Sequence, residues 1–201
     1  MKVITFANQK GGVGKTTLSL NFVHSIKDMA KVLLIDADTQ GSLFKIEKIR
    51  NSTTVVKFED FKKNIDSYKK EYNFAVIDTP PYFTEDLNWI LPNSDIVIVP
   101  IKPGIMEAMA CLTTVQLLQS KNVNFKVVLS QINKSGSLHE ETYEYLDSKD
   151  IPYIKTLVSY RQSYIRSVGV ENKDAIHDTK DKVAQNEINN LSQEILISII
   201  K

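Results

Sequence analysis

"ANQKGGVGKTT", residues 7–17, is the stretch on which the reading of this chain turns. It looks like a glycine-rich phosphate-binding loop, whose usual form is G-x-x-x-x-G-K-[ST]. Gly14, Lys15 and Thr16 fill the last three places, but Gln9 stands where the opening glycine belongs. An additional lysine, Lys10, precedes the Gly11-Gly12 pair. A phosphate loop must leave a strand and open a helix. "KVITFA" (2–7) is an apolar, strand-like run ahead of it. Behind it, Leu18, Phe22, Ile26 and Met29 recur at helical spacing over 15–29. The residue types fit the chemistry. Gly11, Gly12 and Gly14, with Val13 among them, let the backbone curl until its N–H groups converge on phosphate oxygens. The helix N-terminus at Thr16 and Thr17 adds its positive dipole end. Lys15 is placed to neutralise the β- and γ-phosphates, and the Thr16 hydroxyl to reach Mg²⁺. The bland alternative is a glycine turn with a chance lysine; three glycines followed by Lys-Thr-Thr at a strand–helix junction argue against it.

Outward from the loop, the chain repeats one alternation. Short β-branched apolar runs recur as "KVLLID" (31–36), "FAVID" (74–78), "DIVIVP" (95–100), "FKVVLSQI" (125–132) and "YIKTLV" (153–158). Runs apolar on consecutive positions read as strands buried on both faces of a parallel sheet. Helical spacing appears between and after them. Met109, Leu112, Val115 and Leu118 lie on one stripe within 105–120, and 138–148 is a further helix. Ile188, Leu191, Ile195 and Ile199 mark a last helix over 181–200. The region 44–72 is charged and weakly periodic, and reads as irregular or short helical structure. The pattern predicts an α/β fold: a doubly wound, mostly parallel twisted sheet flanked by helices. The chain has 201 residues and no Pro/Gly/Ser linker, which predicts one domain over 1–201.

Composition narrows the function. An apolar share of 42% supports a folded core. A net charge of +1 leaves any nucleic-acid contact to a local patch. Cys111, the one cysteine, excludes an internal disulfide and fits a reducing cytoplasm. It also excludes a cluster held by two cysteines per subunit. No apolar run reaches the about 20 residues of a membrane helix. His24, His139 and His177 show no metal-ligand spacing.

"KGGVGKTT" resembles the deviant phosphate loop of the ParA/MinD group of ATPases, which shares K-G-G-x-G-K-[ST]. The resemblance implies a P-loop NTPase fold, binding of ATP and ADP with Mg²⁺, and ATP hydrolysis. It assigns Lys10 the lysine that crosses a dimer interface to the partner's ATP, and Lys15 the ordinary one. The charge logic agrees: two neighbouring lysines cannot easily grip one triphosphate from the same side, and a second subunit supplies another. Dimerisation should then depend on ATP.

Two carboxylate strands extend the match. "DADTQGS" (36–42) resembles D-x-D-P-Q-G-[NS], with Thr39 in place of the proline. The resemblance gives Asp38 the positioning of the attacking water; Asp36 reads as structural or as a partner of the metal's surroundings. A strand-end turn with helix-capping aspartates is the plain alternative. "FAVIDTPP" (74–81) resembles a Walker B strand in which Asp78 holds Mg²⁺ through water. "VPIKPGIMEAMA" (99–110) resembles the segment preceding a dimer-face helix, with Gly104 and Ile105 replacing its usual residues. Asn133, in "LSQIN" (129–133), reads as an adenine contact or a turn residue.

"SYRQSYIRSVG" (159–169) resembles the C-terminal region of the small, ParF-type partition ATPases. There it implies non-specific DNA binding, with Arg161 and Arg166 as candidates and Lys155 and Lys173 behind them; an ordinary solvated face is the alternative. Tyr160 and Tyr164 read as packing residues. The last helix carries Glu187 and Glu194 and few basic residues, unlike a membrane-targeting helix, so it should pack on the domain. The loop lies near the start of the chain, so no N-terminal DNA-reading domain is expected. The resemblance thus implies a cytoplasmic partition ATPase, nucleoid-associated with ATP, and a small centromere-binding partner that stimulates hydrolysis. The runner-up is a MinD-like ATPase that positions a cellular assembly.

Overall fold

The structure, a computed structural model, describes residues 1–133, 136–169 and 175–200, with backbone alone at 42, 48–50 and 200. In chain order the strands are β1 (Lys2–Phe6), β2 (Val32–Asp36), β3 (Thr54–Lys57), β4 (Phe74–Asp78), β5 (Ile96–Ile101) and β6 (Phe125–Leu129). The helices are α1 (Lys15–Ile26), α2 (Ser42–Arg50), α3 (Phe58–Lys63), α4 (Ile65–Glu71) and α5 (Glu85–Ile90). They continue with α6 (Ile105–Ser120), α7 (Leu138–Asp147), α8 (Gln162–Ser167) and α9 (Lys182–Ile200). The six strands form one sheet in the order β3-β2-β4-β1-β5-β6, every pair parallel.

Side chains of a strand alternate between faces, so one sheet builds two cores. Ile4, Phe6, Leu34, Val76, Ile98 and Val128 point to a core closed by α1 and α9. Val3, Leu33, Ala75, Val97 and Val127 serve the other core, with Ala108, Cys111, Val115 and Leu118 of α6 packed in it. Strands apolar on both faces are the reason for the consecutive apolar runs. Register then places the chemistry. Phe6 pairs with Asp78, and Asp36 pairs with Asp78, so both carboxylates and the start of the loop meet at one sheet edge. The order reverses at β1, the switch point where ligands bind in doubly wound sheets.

The last helix packs as its spacing predicted. Ala184, Ile188, Leu191 and Ile195 are buried against α1. Each fully buried aliphatic side chain contributes about 1.5–3 kcal/mol. Glu187 and Glu194 turn inward: Glu187 is buried on Ser159, whose Oγ lies 2.8 Å away. Among the described residues no helix is long and apolar enough to cross a membrane.

Four expectations need correction. The region 44–72 holds α2, α3 and α4 but also an edge strand, β3, only half-buried and flanked by charge, which hides its period. "YIKTLV" is not a strand. It runs beside β6 with isolated bridges such as Val127–Tyr153. The Glu194 carboxylate takes the Lys155 and Thr156 N–H groups at 2.9 and 2.8 Å, which diverts them from the ladder. The 125–132 run stops at Leu129, because Gln131 adopts φ 59. Finally, α1 ends at Ile26 and leaves Met29 exposed, while the buried stripe of α6 runs Ala108–Cys111–Val115–Leu118 and leaves Met109 exposed.

Candidate functional site

The loop between β1 and α1 takes its shape from glycine where no other residue is comfortable. Gly12 has φ 69 and Gly14 φ 95, both in the left-handed region. Gly14 is the N-cap of α1 and no side chain caps the helix there, so its first N–H groups face the loop's hollow. Around this hollow the fixed contacts are few. Asn8 is buried, donates to the Pro100 carbonyl at 2.8 Å and accepts the Lys10 N–H at 3.0 Å. Lys15 is buried, and its ammonium donates to the Lys10 carbonyl at 3.0 Å. Burial pulls the Lys15 ammonium below its ordinary range, against the opposing charges of Asp78 and Asp38.

The carboxylates stand on the same edge. Thr16 Oγ1 donates to Asp78 Oδ2 at 2.6 Å. Asp78 Oδ1 is buried with no hydrogen-bond partner. Burial pushes the Asp78 carboxyl up to about 7, the Thr16 bond resisting and the Asp36 charge adding. Asp36 is buried too and accepts the N–H groups of Phe44 and Asp38 at 2.9 and 3.1 Å. Burial also raises its carboxyl above the ordinary range. Asp38 is half-exposed, and its Oδ1 caps Gln40 N–H at 3.0 Å. An orphaned carboxylate oxygen beside a hydroxyl is a donor set that fits a hydrated divalent cation. Thr16 and Asp78 are therefore the residues able to hold Mg²⁺.

The structure separates the two lysines. Lys10 points to α6, where both Glu107 oxygens accept its ammonium at 2.7 Å. It remains half-exposed there. Nearby in sequence, Ile105, Met106 and Met109 on α6 are exposed, as are Tyr82 and Phe83 after the Pro80-Pro81 stop.

Next to the loop lies a cavity of about 290 Å³, lined by Gly14, Thr17, Gln131, Tyr160, Arg161 and Ile165 among others. Asn133 is exposed and is not in that lining. Arg161 donates to Asp181 at 2.7 Å, so it faces this cavity already paired. Arg166 and Lys155 are exposed, and Lys173 lies outside the described residues. Tyr164 is buried on Glu187 as predicted, whereas Tyr160 is exposed. His24 bonds Glu47 at 2.9 Å in the core between α1 and α2, and no cluster of metal-ligating groups occurs among the described residues.

Three participants carried no sequence signal. Ser130 and Gln131 contact the loop's carbonyls at 2.7 Å, and Glu107 holds Lys10. They lie inside the stretches "LSQIN" and "VPIKPGIMEAMA", but neither stretch gave them a role; only their place at the end of β6 or the start of α6 could have pointed to one.

The chain and its fold have known counterparts. The chain is 25% identical to the maintenance of carboxysome distribution protein A of Halothiobacillus neapolitanus, over 97% of this chain and 96% of that one. It is 23% identical to a ParA family protein of Mycoplasma pneumoniae, over 96% and 97%. Among solved structures, the MinD cell division protein of Aquifex aeolicus superposes with TM-score 0.78 at 19% identity, covering 98% of this chain and 97% of that one. A putative plasmid partition protein of Borrelia burgdorferi, bound to AMPPNP, superposes with TM-score 0.73 at 24% identity, covering 98% of each. The family model for the CobQ/CobB/MinD/ParA nucleotide-binding domain matches residues 4–173. With its loop, its carboxylate edge and that match, the chain belongs to the CobQ/CobB/MinD/ParA nucleotide-binding family.

Proposed function

We propose that this chain is one ATPase domain that binds ATP with Mg²⁺, closes into a homodimer over two nucleotides, and hydrolyses ATP to ADP and phosphate. The observation that carries the reading is the separation of Lys10 from Lys15. Lys15 is buried beneath the loop, while the Lys10 ammonium is drawn out of it to Glu107 of α6. One chain thus offers its own phosphates one lysine and holds the other for a second chain.

The residues divide the work. The N–H groups of Gly11 to Thr17 receive phosphate oxygens. Lys15 exchanges the Lys10 carbonyl for the β- and γ-phosphates. Thr16 and Asp78 hold Mg²⁺, which supplies charge neutralisation at those phosphates. Asp38, half-exposed at the strand end, orients the water that attacks the γ-phosphate. Lys10 leaves Glu107 to reach the partner's phosphates. The cavity beside Gly14 and Thr17 takes the base, which favours Gln131 and Tyr160 over Asn133 as its neighbours. Catalysis is by positioning and charge neutralisation.

For cargo, we read a partition role: non-specific DNA binding through Arg166 and neighbouring basic residues, with a small centromere-binding protein as stimulating partner. The ParA names among the relatives support it. Arg161, paired and facing the cavity, fits base-side support better. The second reading, positioning of a protein assembly, is favoured by the full-length match to a carboxysome distribution protein.

Sedimentation with a non-hydrolysable ATP analogue tests the core. The wild type should dimerise, and Lys10→Ala should bind the analogue yet stay monomeric; a Lys10→Ala dimer of normal strength refutes the cross-subunit role. Co-sedimentation with DNA then separates the cargo readings. Binding that needs ATP and falls steeply with salt supports partition; none favours a protein cargo.

A further inference from the structure

The end of β6 holds the phosphate loop by its carbonyls. Ser130 is buried, and its Oγ donates to the Val13 carbonyl at 2.7 Å, with the Ile101 carbonyl at 3.2 Å. Gln131 Nε2 donates to the Gly12 carbonyl at 2.7 Å. Both side chains come from more than 100 positions away in the chain, the separations being 117 and 119.

The consequence follows from the planar peptide. In a trans peptide the C=O and the N–H point in opposite directions. The unit that carries the Gly12 carbonyl also carries the Val13 N–H; the unit that carries the Val13 carbonyl also carries the Gly14 N–H. Holding the two carbonyls toward β6 therefore aims both N–H groups the other way. That direction decides whether the loop can bind an anion. A unit flipped over would present a carbonyl, with its negative partial charge, to a phosphate. Gly12 and Gly14, at φ 69 and 95, border these units and offer little resistance to such a flip.

Gln131 occupies this place at a conformational cost. Its φ of 59 lies in the left-handed region, strained for a residue with its side chain. Glycine would relieve the backbone but leave the Gly12 carbonyl without its donor.

We infer that Gln131 is a positioning residue for the polyphosphate: it locks the 12–13 peptide, as Ser130 locks the 13–14 peptide, in the anion-binding orientation before the nucleotide arrives. This rests on the nucleotide reading above.

Gln131→Gly separates positioning from structure, because the substitution removes strain and clamp together. The melting temperature of the nucleotide-free variant should equal or exceed that of the wild type. Its affinity for ATP should fall about fivefold or more, as for one lost hydrogen bond. Inorganic tripolyphosphate, which has no base, should weaken as well when measured by calorimetry. Three results overturn the inference: unchanged ATP affinity; an ATP loss without a tripolyphosphate loss, which assigns Gln131 to the base cavity; or a melting temperature that drops in step with affinity, which makes the role structural. A wild type that binds neither probe refutes the nucleotide reading itself, and the inference with it.

Discussion

Asp78→Asn should make the nucleotide-free chain more stable, although it removes the residue proposed to hold the metal. Asp78 is 2% exposed, its Oδ2 accepts one hydroxyl, and its Oδ1 accepts nothing. Burial moves its carboxyl from 3.8 to about 7. The folded state therefore binds a proton that the unfolded state releases, and stability falls as pH rises from about 4 to 7, then levels off. At pH 8 the ionised form carries a cost of about 4 kcal/mol, at about 1.4 kcal/mol per pH unit. Asparagine is uncharged and still accepts from Thr16, but its amide group then lies unpaired, at about 1–3 kcal/mol. The net gain is about 1–3 kcal/mol, or a rise of about 2–4 °C in Tm for each kcal/mol at this chain length. At pH 5 most of the charge cost is gone, and the two proteins should melt together. Calorimetry in EDTA at both pH values reads this difference. A variant less stable at pH 8, or a gap that does not shrink by pH 5, refutes the account of a buried, uncompensated carboxylate. Under the proposed function, Mg²⁺ added to ATP should raise Tm only in the wild type.

Other perturbations address the lysine, the water and the frame. Glu107→Gln frees Lys10 from a half-exposed ion pair worth about 0.2–1 kcal/mol, so the dimer formed with a non-hydrolysable ATP analogue should tighten up to about fivefold by sedimentation; a weaker dimer overturns it. Asp38→Ala should bind ATP with near-normal affinity and release phosphate at a rate lower by about 100-fold or more, the scale of a lost proton-accepting or water-orienting group; undiminished release sinks the assignment. Glu194→Ala leaves the Lys155 and Thr156 N–H groups without their acceptor and should cost about 2–4 kcal/mol in urea unfolding. A loss below about 0.5 kcal/mol would show that water replaces it.

Much of the fold was legible because the sheet is parallel and covered on both faces. That arrangement writes each central strand as an apolar run, so β1, β2, β4, β5 and β6 stand out. The same rule explains the failures. β3 is at the edge and half-exposed, so it carries no such run. "YIKTLV" has the run but not the ladder, because Glu194 competes for its N–H groups from α9, 38 and 39 positions away. In the site, the loop was readable because its chemistry resides in consecutive backbone units. Asp36 and Asp78 were readable because strand ends mark them, and the register brings them side by side. Ser130, Gln131 and Glu107 were not: each acts through one long-range hydrogen bond or ion pair, and a serine, a glutamine or a glutamate alone has no pattern.

The three most buried charges of this edge share a property that their positions alone do not reveal. Asp36 and Asp78 are driven upward and Lys15 downward, each toward its uncharged form, and each chiefly by burial. The attraction of Lys15 for Asp78 opposes this but does not cancel it. Such an edge is electrostatically incomplete. A polyanion alone would relieve Lys15 and aggravate the aspartates; a cation alone would do the reverse. Only a ligand that brings both signs together relieves all three, and a nucleoside triphosphate with its divalent metal is such a ligand. Under the proposed function, the buried charges that cost the free chain stability would be a source of differential affinity for the loaded state, and would favour closure only when nucleotide and metal are both present.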